Sequence, residues 1–204
     1  MKYKKLTVSQ KGLSLIESAM VLAISAVIVS GVLYYYNHAQ ENRKLEEGIK
    51  QIQTIAATVN KLYTNSTTRL QNGNDDANNK VVEAISAVSG IPTKKLSNGK
   101  AKVFTSPSGQ WVQFWVELGS PINTYQLETQ VQSASSCISY ATLNMGTIMA
   151  AKTRIFAGNN EQHGSTSSAS TNFSLSPSEA STLCKNAENA KNGNNIKVRY
   201  TLRY

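Results

Sequence analysis

The sequence predicts an α+β protein: one very long N-terminal helix, then antiparallel strands, with a disulfide closing the C-terminal region. Three observations carry that prediction. From Ser18 to Tyr36 there are 19 residues without a charge. Leu45, Ile49, Ile52, Ala56, Val59 and Tyr63 then recur in steps of four and three, the spacing of an amphipathic helix. From Trp111 onward several stretches alternate apolar and polar residues, the period of a strand.

The helix comes first. No proline occurs before Pro92, and Gly48 is the only glycine between Gly31 and Gly73. One helix is therefore expected from Leu13 to Tyr63, about 75 Å long. Residues 13–36 are apolar all round, residues 37–63 have one apolar face, and residues 64–204 form the head. NSTTRLQNGNDDANNK reads as a polar linker, and VVEAISAVSGIP as a short helix stopped by Gly90 and Pro92. WVQFWVEL alternates Val112, Phe114, Val116 and Leu118 with Trp111, Gln113, Trp115 and Glu117. TYQLETQV repeats the pattern, with Tyr125, Leu127 and Val131 on one side. SASSCISYATLNMG suits a helix carrying Cys137, and TIMAAKTRIFAGNN fits no single state. Asn159 to Asn172 reads as an exposed polar loop. SPSEASTLCKNAENAKNG opens a helix on a capping box of Ser176 and Glu179, with Pro177 in the first turn and Gly193 as the stop. NIKVRYTLRY closes the chain as a strand with Ile196, Val198, Tyr200, Leu202 and Tyr204 on its one buried face.

Charge and cysteines set the topology. The formal charge is +9 over 204 residues, but Lys2, Lys4, Lys5 and Lys11 precede the apolar run with no acidic residue among them. Such a cluster keeps its side of an apolar helix in the cytoplasm and sends the rest across. The other charges are scattered, without the basic stripe that tracks phosphates, so no specific nucleic-acid partner is expected. In an exported chain the two cysteines, Cys137 and Cys184, read as one disulfide; two free thiols would be the reading for a cytosolic protein.

The catalytic inventory is thin. His38 and His163 have no Cys, Asp or Glu at ligand spacing, so neither a metal nor a cofactor is expected. No GxSxG, P-loop or GxGxxG occurs. Asn65-Ser66-Thr67 and Asn172-Phe173-Ser174 match a glycosylation sequon of low specificity. Trp111 and Trp115 share a strand face, where packing in the core or between subunits is favoured over a binding platform. No enzyme is predicted.

Glu17 is the specific signal. It sits inside an apolar stretch after Leu13, Leu15 and Ile16, where a carboxylate costs about 2.5–3.5 kcal/mol on insertion scales. A plain signal anchor, as on a membrane-bound periplasmic enzyme or binding protein, leaves it unexplained. KGLSLIE followed by a long apolar helix resembles the class III signal of the type IV prepilins. GLSLIESAMVL is similar to the type IVb branch, the bundlins of bundle-forming pili in particular. CISYATLNMG and SPSEASTLCKNA resemble the segments around the two bundlin cysteines, while residues 63–132 match only in the order of their elements.

The resemblance implies the type IV pilin fold, an αβ-roll whose long helix packs on an antiparallel sheet. It implies that residues 1–12 are a leader, cut between Gly12 and Leu13 by prepilin peptidase, and that Leu13 is then N-methylated. Glu17 becomes the fifth mature residue and the assembly residue, neutralising the Leu13 amine of a neighbouring subunit. The implied partners are the inner membrane before assembly, the inner-membrane pilus assembly machinery, further copies in a helical filament, and a receptor on a host or recipient cell. The precursor is expected in the inner membrane, with its N-terminus cytoplasmic and its head periplasmic, and the product in an extracellular pilus. Adhesion, aggregation and conjugative cell contact are the implied roles of a major subunit. A minor pilin or a secretion-system pseudopilin would carry the same N-terminal signal.

Overall fold

A proline-free stretch with helical spacing throughout gives an unbroken helix, α1, over Leu15–Tyr63. The computed structural model describes residues 14–70, 75–96, 99–117, 123–162, 173–191 and 195–204. Gly12, Leu13, His163, Gly193 and most of the expected polar loop lie outside these residues. The chain divides into two compact units, Met1–Asn42 and Arg43–Tyr204.

In the second unit, α1 buries Gly48, Ile52, Ile55, Ala56, Thr58 and Val59. Leu45, Ile49 and Tyr63 pack beside them, half-buried. The buried face is wider than the predicted stripe because Gly48 and Ile55 join it. Next comes α2, Asp75–Ser89, burying Val82 and Ile85. It starts earlier than predicted: Asp75 to Lys80, read as linker, are helical. Those polar residues carry no apolar period, yet Asp75 and Asp76 suit the positive end of the helix dipole. Gly90, at φ 73°, ends the helix in the left-handed region, and its N–H donates to the Ser86 carbonyl at 2.8 Å.

Among the described residues seven strands follow: β1 Thr93–Lys95, β2 Lys102–Thr105, β3 Trp111–Trp115, β4 Thr124–Val131, β5 Met149–Ala157, β6 Asn160–Gln162 and β7 Ile196–Arg203. They form one sheet in the order β1-β2-β3-β4-β7-β5-β6, and every pair is antiparallel. The predicted strands at Trp111, Thr124 and Ile196 are its three central members. The ambiguous segment TIMAAKTRIFAGNN becomes β5, whose register shifts between Met149 and Arg154 blur the alternation. The expected loop from Asn159 loses its beginning to β6, which pairs Asn160–Gln162 with Ile155–Ala157 beyond a turn at Gly158, φ 61°. An edge strand this short needs backbone partners rather than an apolar pattern.

The register sets the core. Phe114 pairs with Leu127, Leu127 with Tyr200, and Val198 with Ile155. These side chains join Ile52, Ile55, Ala56 and Val59 of α1 in one buried cluster. The unit also holds the short helices α3 Ala134–Ala141 and α4 Pro177–Ala190. The capping box of α4 is as predicted. Ser176 Oγ accepts the Glu179 N–H at 3.3 Å, and Glu179 accepts the Ser176 N–H at 3.1 Å. Lys152, donating to Glu179 at 2.9 Å, and then these Ser176 groups hold the Glu179 carboxyl below its ordinary range. The helix stops at Ala190, with Lys191 as its cap.

Candidate functional site

Among the described residues of the first unit, the apolar side chains have no interior to enter. Leu15, Ile16, Met20, Val21, Leu22, Ile24, Val27, Ile28, Val29, Val32 and Leu33 are all exposed. By length and composition this part of α1 can cross a membrane. Its serines are already satisfied: Ser18 Oγ donates to the Leu15 carbonyl at 3.0 Å, Ser25 Oγ to Val21 and Ser30 Oγ to Ala26 at 2.7 Å. No hydroxyl among them needs water, which suits apolar surroundings.

Glu17 stands in the first turn and has a partner within its own chain. Its Oε2 accepts the Ser14 N–H at 2.9 Å, and its N–H donates to Ser14 Oγ at 3.2 Å. This is a capping box, satisfying two of the amides a helix start leaves open. The signal S-x-x-E is legible in SLIE, but Ser14 is absent from the predicted site residues.

In the second unit Cys137 of α3 and Cys184 of α4 form the expected disulfide, with Cα atoms 5.8 Å apart. The next turn of α3 meets α1. A Cβ on Gly48 would lie 1.9 Å from Tyr140 Oη and 3.2 Å from Cζ, so only glycine lets that phenol lie against the helix. Burial pushes the Tyr140 phenol up to about 12. Tyr200, raised by its own burial and then by Tyr140, donates its hydroxyl to the Tyr140 carbonyl at 2.7 Å. The two tyrosines tie the last central strand to α3. Sequence reading singled out Gly48 without assigning it a contact.

The sheet face opposite the core is held by charge and aromatic rings. Glu128, only 4% exposed, receives Arg199 Nη2 at 2.7 Å and Nε at 2.8 Å, with Lys197 Nζ at 3.8 Å from its other oxygen. The Arg199 guanidinium lies 4.1 Å from the centroid of Phe156 and 4.8 Å from that of Trp115, and Lys197 sits 5.9 Å from Trp111. Both tryptophans, half-buried, therefore make cation–π contacts on this face rather than packing in the core. Among the described residues no group of three or more His, Cys, Asp or Glu could hold a metal ion.

The predicted site residues thus fall in separate places: Glu17 in the first unit, the cysteines in the second, and Gly12 and Leu13 outside the described residues. The sequence model of the Bundlin family matches residues 37–203. The chain is 30% identical over 182 residues to the major structural subunit of bundle-forming pilus of Escherichia coli O127:H6 (strain E2348/69 / EPEC), with 88% of this chain and 90% of that protein covered. It is 32% identical over 184 residues to the protein of the same description from Escherichia coli O111:H-, with the same coverage. Among solved structures, the type IVb pilin from Salmonella typhi superposes with a TM-score of 0.50 at 16% identity, covering 77% of this chain and 97% of that one. That last likeness concerns the fold alone.

Proposed function

Since the chain belongs to the bundlin family and has the type IV pilin fold, we propose that it is the structural subunit of a type IVb pilus. The observation that carries this reading is its identity to two major pilus subunits along 88% of its length. An apolar half-helix exposed on every side, with one carboxylate at its start, supports it. Polymerisation would cover that surface with other copies.

In this reading residues 1–12 are a leader, and prepilin peptidase cuts between Gly12 and Leu13. Residues 13–36 hold the precursor in the inner membrane and later form the filament core, residues 37–63 are the amphipathic half-helix, and residues 64–204 form the head. The freed and methylated Leu13 amine of one subunit meets Glu17 of another. Each charge is expensive in apolar surroundings, and pairing offsets much of that cost. The pair cannot form before cleavage, so processing licenses assembly. The inner-membrane pilus machinery performs the assembly, and the exposed filament serves adhesion, aggregation or conjugative contact through a receptor on another cell.

Sequencing the N-terminus of sheared surface filaments tests the reading. The expected result is an abundant chain beginning at methylated Leu13; a start at Met1 or near Gly31 overturns it. Glu17→Ala should still insert and should lose most filament yield, because the Leu13 amine then lacks its partner. Normal yield from that variant rejects the charge pair while leaving the pilin assignment standing.

A further inference from the structure

Directly after the apolar run, the sequence places Tyr34, Tyr35 and Tyr36 in succession. All three are exposed, at 76%, 77% and 58%. On a helix, consecutive side chains point about 100° apart, so the three rings spread around the axis instead of forming one stripe. A protein partner lying along one side could engage only part of that set. A planar boundary crossed by the helix meets all three at one depth. Tyrosine, with an apolar ring and a polar tip, prefers the level where hydrocarbon gives way to headgroups.

The neighbouring residues fix the boundary from both sides. On the N-terminal side the serines turn their hydroxyls back onto the helix. On the C-terminal side polar side chains begin at once: Gln40 Nε2 donates to Tyr36 Oη at 2.6 Å, and Asn42 Nδ2 lies 3.2 Å from His38 Nδ1. Measured along the axis, Glu17 and Tyr35 are about 27 Å apart, close to the ~30 Å hydrocarbon thickness.

We infer that Tyr34, Tyr35 and Tyr36 form a collar that binds the headgroup level on the head side of the bilayer and sets the depth of the membrane-held subunit. The inference rests on the membrane-inserted precursor proposed above. At that depth Glu17 and its Ser14 cap lie at the opposite headgroup level. The carboxylate therefore avoids most of the cost of a charge at the bilayer centre. The collar is what keeps it there.

The test uses the full chain in the bacterial inner membrane, with single cysteines introduced from Leu33 to Gln40; the native pair is oxidised and silent. A membrane-impermeant maleimide added from the periplasmic side should label positions from Asn37 outward and leave Leu33 unlabelled. In Tyr34→Ala/Tyr35→Ala/Tyr36→Ala that boundary should move or spread by about one helical turn. The corresponding triple tryptophan variant should restore it. An unmoved boundary in the alanine variant overturns the collar while the membrane-held pilin stands. A wild-type chain absent from the membrane fraction overturns both. Efficient oxidation to dimers at one of Tyr34→Cys, Tyr35→Cys and Tyr36→Cys, and not at the others, marks a face between copies and also overturns the collar.

Discussion

In the apolar half of α1 the leucines, isoleucines and valines face outward, and the one carboxylate is answered by its own helix start. In the unit from Arg43 to Tyr204 even a carboxylate, that of Glu128, is withdrawn from water and held between cations. The contrast separates two ways of completing a fold. The unit from Arg43 to Tyr204, called the head from here on, reaches its energy minimum with its own residues. The half-helix requires an outside phase, lipid or other copies, and is shaped so that either can cover it. Changes in the head should therefore alter head stability and leave membrane retention untouched, which makes retention the control for each test below.

The largest effect should come from the disulfide. Cys137 and Cys184 are separated by 47 residues, and closing a loop of that size restrains the unfolded chain by about 4 kcal/mol on the chain-entropy estimate. Cys184→Ser should lower the melting temperature of the detergent-solubilised full chain by about ten degrees and reduce its cellular abundance through proteolysis. The membrane-held fraction of the surviving protein should be unchanged. If the variant instead disappears from the membrane with its head still folded, the two parts are not energetically separate.

Arg199 ranks next. Removing it strands the Glu128 carboxylate in a site from which water is largely excluded, and breaking a buried pair from one side typically costs about 3–5 kcal/mol. Lys197 lies 3.8 Å from the other oxygen and softens the loss, so Arg199→Ala should destabilise by about 3 kcal/mol in chemical denaturation. Glu128→Gln with Arg199→Met should recover much of it, since an apolar chain can keep the contacts with Trp115 and Phe156. Failure of the double variant to recover would mean that ring stacking, rather than charge, holds this face.

That pair also marks how far the sequence could be read. The long helix, the strands at Trp111, Thr124 and Ile196, the α4 capping box and the disulfide were legible, because each rests on a local period or a count of two. Alternation in TYQLETQV located β4 and the side facing the core. It gave no sign that Glu128 on the other side is buried too, because that depends on Arg199, 71 residues away. The strands β1, β2 and β6 are too short to show a period, and β5 hides its own in register shifts. The assembly role of Glu17 comes from resemblance to a family and stands as a proposal. The Ser14 half of its capping box is visible in the S-x-x-E spacing of SLIE, a local signal that needs no resemblance.

The smallest expected effect tests a contact that no pattern announces. Gly48 lies on the buried face of α1, where alanine would ordinarily be the better residue by about 1 kcal/mol on helix propensity. Here the added methyl would overlap Tyr140 Oη, and Tyr140 is anchored through its carbonyl by Tyr200. Overpacking of this kind costs about 1–3 kcal/mol, so Gly48→Ala should be net destabilising by up to about 2 kcal/mol once the propensity gain is subtracted. Tyr140→Phe removes the overlapping oxygen and leaves the ring, whose Cζ would sit 3.2 Å from the new methyl. The Gly48→Ala/Tyr140→Phe double variant should therefore be more stable than Gly48→Ala alone, and a double-mutant cycle on denaturation midpoints reads that coupling directly. Strict additivity would mean that the phenol swings aside without strain, and that Gly48 is not what brings α3 against α1.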